Sequence, residues 1–80
     1  TPDIDLMIID LDANTEAGLG AIRTCRSMIP PVPVIGLCAT KRMREMARAS
    51  GADEVAGNPP SLPELQLVML RALGRPTAVR

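Results

Sequence analysis

Asp10 and Asp12 are the residues in this sequence best placed to do chemistry. They close the apolar run Asp5-Leu-Met-Ile-Ile-Asp10 and are separated by Leu11 alone. A carboxylate at the end of a buried strand presents exposed oxygens beside low-dielectric walls. It can hold a hard cation such as magnesium, or attack a phosphoryl group. The same spacing fits an ordinary solvated aspartate at a strand end, and the pair alone does not choose between the two. Cys38 ends a second apolar run, Val34-Ile-Gly-Leu-Cys-Ala39. A catalytic thiol needs a base within reach, and only carboxylates such as Asp10 are on offer, so a buried strand-end thiol is the simpler reading. Asn58 lies in the loop Gly57-Asn58-Pro59-Pro60, which continues neither helix nor strand.

Composition removes other chemistries. With 0 His there is no imidazole base, no His-containing triad and no mixed Cys/His zinc site. Aromatic content is 0%, which removes the stacking platforms used for single-stranded nucleic acid and most sugars. Nine Lys plus Arg balance nine Asp plus Glu, so no long-range field draws a polyanion or an anionic bilayer. No direct nucleic-acid partner and no membrane association are expected. Cys25 and Cys38 form no CxxC and no ligand cluster. With no secretory leader read at the start of the chain, they are expected to be reduced thiols in a cytoplasmic protein. No apolar run approaches the ~20 residues of a membrane span.

The 80 residues suffice for one small domain. A chain of this size buries about 60–65% of its unfolded surface, a thin margin that favours a covering partner or segment. Asp5–Asp10 and Val34–Ala39 do not alternate, the pattern of strands buried on both faces in a parallel sheet. Between them Asn14 or Thr15 can cap a helix with Leu19, Ile22, Cys25 and Met28 on one face, although Gly18 and Gly20 weaken its start. Thr40 is the expected cap of a second helix, Lys41–Ser50, with Met43, Met46 and Ala47 as core fillers and Gly51 as its stop. Asp53–Ala56 is a weak strand. Ser61-Leu-Pro-Glu64 has the spacing of a capping box, followed by Leu65, Val68, Met69, Ala72 and Leu73 at helical spacing. Residues 1–75 form the expected domain, and 76–80 an exit tail or linker. Alternating strand and helix imply an α/β fold with an open parallel doubly wound sheet, whose ligands sit beyond the carboxyl ends of the strands. That rule directs attention to Asp10–Asp12, Cys38–Thr40 and Gly57–Asn58.

Pro2-Asp3 through Leu11, Gly18-Leu19, Pro33-Val34-Ile35, Gly51-Ala52-Asp53, Pro59 and Ser61-Leu-Pro-Glu-Leu65 together resemble the response-regulator receiver family. The resemblance covers nearly the whole chain and matches the family's domain from its third strand to its last helix. It implies a flavodoxin-like receiver fold, here only the last three βα units. It implies Asp10 as phosphoacceptor from a histidine kinase, with Mg2+ held by Asp10 and by the backbone carbonyl of Asp12. Since the family's first strand would separate its second from its third, the resemblance also implies an open apolar edge along Ile4–Ile9. A fragment of a longer chain, or a dimer that exchanges a segment, is the corresponding expectation.

Three switch positions depart from the family. Its strand-end hydroxyl falls on Cys38, a much weaker hydrogen-bond donor, and its lysine falls on Asn58, which donates a neutral hydrogen bond and brings no charge. Lys41 or Arg42 as a replacement cation is less expected than a solvated helix start. The family's aromatic switch falls on Val55, so no ring rotation can signal. The expected function is a receiver domain of two-component phosphorelay signalling, atypical, with weakened or absent phosphorylation switching. It would act through a histidine kinase or another signalling protein, or as a homodimer by segment exchange or helical faces. The alternative is a fully phosphorylatable receiver. In neither case is the chain an enzyme beyond self-catalysed phosphoryl acceptance and loss at Asp10. Gly18-Leu-Gly20 lacks the third glycine of a dinucleotide fingerprint, its place being taken by Arg23. A cobalamin-binding domain would need a histidine.

Overall fold

The computed structural model describes residues 4–74. Residues 1–3 and 75–80, which include Pro2-Asp3 of the family resemblance and the expected exit tail, lie outside the described residues. The elements alternate as β1 (Met7–Asp10), α1 (Thr15–Ser27), β2 (Val34–Leu37), α2 (Lys41–Ser50), β3 (Glu54–Ala56) and α3 (Leu62–Gly74). The protein is thus α/β, with a three-stranded parallel sheet in the order β1-β2-β3. Met7 pairs with Val34 and Asp10 with Leu37, while Gly36 pairs with Val55.

The period-2 alternation of the strands divides the core into two layers. Val34 and Cys38 join Leu11, Ile22, Cys25, Val32 and Ala47 on the face covered by α1 and α2. Ile35 and Ala56 meet Val68 and Ala72 of α3 on the other face. β2 is buried on both faces, as its unbroken apolar run implies. β1 is not: it lies at the sheet edge, α3 spans β2 and β3, and Ile8 stays 42% exposed. The strand is also shorter than its apolar run, because Asp5 and Leu6 precede the first pairing at Met7. Two expected core fillers also stay out of the core: Met46 and Leu73 are exposed on the outer sides of α2 and α3.

The helix starts and stops follow local chemistry. Asn14 caps α1 by accepting from the Ala17 N–H, and Thr40 caps α2 by accepting from the Met43 N–H. Gly51 ends α2 in the left-handed region at φ 111°, where a Cβ would be strained and would also meet the Arg26 side chain. Ser61 accepts from the Glu64 N–H, but Glu64 does not return the bond to Ser61 as a capping box would. Its carboxylate accepts instead from the Gly57 N–H, tying the first turn of α3 to the end of β3.

Gly18, which only weakens α1 when judged by propensity, has a packing reason. Leu11 is fully buried, with Cδ2 against the space a Gly18 Cβ would fill and Cδ1 3.0 Å from that of Gly36. The side chain immediately after Asp10 is therefore wedged between a glycine of α1 and a glycine of β2. This wedge fixes where the β1–α1 turn, and its two carboxylates, leave the sheet.

Candidate functional site

Parallel strands deliver all their carboxyl ends to one rim of the sheet, and the turns that follow them meet there. Asp10 is the last residue of β1, and its Oδ1 accepts from the Asp12 N–H at 2.9 Å and the Ala13 N–H at 3.3 Å. This is the local Asx geometry that aspartate readily makes at a turn. Asp12 reaches across to the next strand end, where its Oδ2 accepts from the Ala39 N–H at 2.9 Å. Asn58, from the loop after β3, closes the group. Its Nδ2 donates to Asp10 Oδ1 at 2.9 Å and to Asp12 Oδ2 at 2.7 Å. Three turns that are far apart in sequence are held by two carboxylates and one amide.

The structure thus brings Asp10, Asp12 and Asn58 together and keeps the other two candidates apart from them. Cys38 points into the α1/α2 layer of the core and is fully buried. Burial pushes its thiol up from the ordinary value, and the nearby carboxylates of Asp12 and Asp10 add to the rise while Arg44 opposes it. A protonated, enclosed thiol has none of the thiolate character of a nucleophile. Val55 is half-buried beside the same core cluster. Lys41 and Arg42 are exposed at the start of α2, and among the described residues neither pairs with Asp10 or Asp12.

Two contacts of the site were not legible in the sequence. The Asp12 side chain, left unconstrained by the family resemblance, is a full member of the cluster. The Arg44 guanidinium donates to the Cys38 carbonyl at 3.2 Å, placing a cationic group behind the crevice. Neither contact has a local sequence signal beyond polarity. Each depends on where two turns land relative to one another.

The two oxygens that Asn58 joins, Asp10 Oδ1 and Asp12 Oδ2, do not fit a shared magnesium ion, whereas Asp10 Oδ2 and the Asp12 carbonyl, the ligands the resemblance implies, are not among the atoms these hydrogen bonds use. Mg2+ demands six oxygens in near-octahedral array at about 2.0–2.1 Å. Here Asp10 Oδ1 already accepts three N–H groups, Asp12 Oδ2 accepts two, and an amide nitrogen stands between them. Among the described residues no group of three or more His, Cys, Asp or Glu is placed to hold a metal.

No family model, curated protein or solved structure matches the chain significantly. Among the described residues no helix is long and apolar enough to cross a membrane.

Proposed function

We propose that this chain is a receiver-type module of two-component signalling that works chiefly through protein contacts, with little or no phosphorylation switching. The observation that carries this reading is the state of Asp10. It stands at the carboxyl end of a parallel strand, where a phosphoacceptor would be required, yet its Oδ1 is engaged by Asn58 and two backbone N–H groups. Where a phosphoryl group needs a cation there is a neutral amide, and where it needs a hydroxyl there is a buried thiol. Among the described residues no Lys or Arg forms an ion pair with Asp10 or Asp12. The contact reading is also supported by α3, which shows Leu62, Leu67, Leu70 and Leu73 to solvent, several large apolar side chains on one helix.

One observation favours the phosphorylatable alternative. Asp10 is exposed, and its Oδ2 makes none of the hydrogen bonds that hold the cluster. Attack of that oxygen on a phosphodonor would form an acyl phosphate and release the donor's leaving group.

The two are separated by intact mass spectrometry after incubation with magnesium and a small phosphodonor, beside Asp10→Asn. The contact reading expects no adduct in a sample shown to be folded. A single phosphoryl adduct that disappears in the variant would replace it with the phosphorylatable receiver.

A further inference from the structure

A side-chain amide nitrogen carries two N–H donors and no charge. Asn58 spends them on two different carboxylates, 2.9 and 2.7 Å away, each of which also accepts from the backbone of a turn. A cation shared by the same two oxygens would occupy the same place. Asn58 is, moreover, next to Gly57, whose N–H donates to Glu64 in the first turn of α3. The amide therefore joins the turn after β1 to the loop after β3, with Asp12 tying in the end of β2 and Gly57 tying the loop to the last helix.

We propose that Asn58 is a built-in latch that does the work of a bridging cation, so that the crevice and the start of α3 keep one arrangement whether or not divalent cations are present. The physics is that of two like charges drawn together. Asp10 and Asp12 would repel at this separation unless something between them supplies positive potential, and the amide hydrogens supply it without a net charge. The latch locates itself in the crevice of the proposed function but stands whether or not Asp10 accepts a phosphoryl group. Its test reads stability and no phosphorylation.

Thermal unfolding of the full chain is followed by circular dichroism in magnesium chloride and in EDTA at matched ionic strength. For the wild type the melting temperature is expected to be the same in both. Asn58→Asp puts a third carboxylate where the amide stood, so it is expected to melt several degrees lower in EDTA and to recover in magnesium. Asn58→Ala is expected to melt lower in both media. Combining it with Asp10→Ala should cost less than the sum of the two single changes, because they share one interaction. A wild-type melting temperature that rises with magnesium would overturn the latch, as would an Asn58→Asp chain equal to the wild type in EDTA. The wild-type comparison needs no variant, so a substitution that fails to fold leaves the test intact.

Discussion

Adding a single methyl group at Gly18 tests whether Leu11 is wedged as described. Taken by helix propensity alone, Gly18→Ala inside α1 should stabilise by about 1 kcal/mol. The structure opposes that gain. The new Cβ would collide with Leu11 Cδ2, and Leu11, fully buried in the core, would have to shift against its packed neighbours to admit it. Overpacking of this kind costs about 1–3 kcal/mol, which leaves Gly18→Ala neutral to about 2 kcal/mol destabilising. Gly20 is the control. It lies in the same helix, and its Cβ would meet nothing nearer than Arg23 Nη2 at 3.8 Å, so Gly20→Ala keeps the propensity gain of about 1 kcal/mol. The propensity term cancels between the two variants, and their difference, about 1–3 kcal/mol, isolates the clash. Urea unfolding midpoints measure it directly. In a Leu11→Ala background the obstruction is gone, and Gly18→Ala should turn stabilising. Equal stabilisation by Gly18→Ala and Gly20→Ala in the wild-type background would refute the wedge.

Two further outcomes concern the partly buried Asp53 and the buried Cys38. Asp53 Oδ2 accepts from the Val34 N–H at 2.8 Å, and Oδ1 pairs with Arg26 at 3.2 Å. Asp53→Ala should cost about 1–3 kcal/mol by orphaning that N–H, whereas Arg26→Ala, at a side chain 44% exposed, should cost under about 1 kcal/mol; urea midpoints in the reverse order would contradict this. For Cys38, the folded-state thiol titrates above its ordinary value of 9.0, so the native state holds a proton that the unfolded state releases. Its contribution to stability is complete below about pH 9 and is lost as pH rises through the raised folded value. Cys38→Ala should flatten the alkaline part of the stability curve, and identical slopes in the two proteins would show that the thiol is not held protonated by the fold.

The parts of the fold that are decided locally were legible in the residues. Asn14, Thr40 and Gly51 bound their helices where short-range capping chemistry requires, and the unbroken Val34–Leu37 run is buried on both faces. What escaped is what needs two distant segments at once. Ile8 belongs to an equally apolar run, yet it is exposed because β1 falls at the sheet edge while α3 packs on β2 and β3. Glu64 has capping-box spacing, but the Gly57 N–H from another element takes its carboxylate. In the site, Asp10 and Asn58 were separately recognisable from strand end and loop. Their meeting through one amide, with Asp12 as the second acceptor, depends on the parallel register that brings residues 46 and 48 positions apart to one rim.

That meeting is open to direct observation by NMR. Asn14, Asn58 and Gln66 are the only side-chain amides in the sequence, so the Asn58 pair of N–H signals is readily assigned. Both Asn58 protons are expected to be shifted away from the solvent-exposed position. One should return towards it in Asp10→Ala and the other in Asp12→Ala, and neither should move when magnesium is titrated in. A solvent-averaged Asn58 amide indifferent to both substitutions, or one displaced by magnesium, would show that the amide does not bridge the two carboxylates.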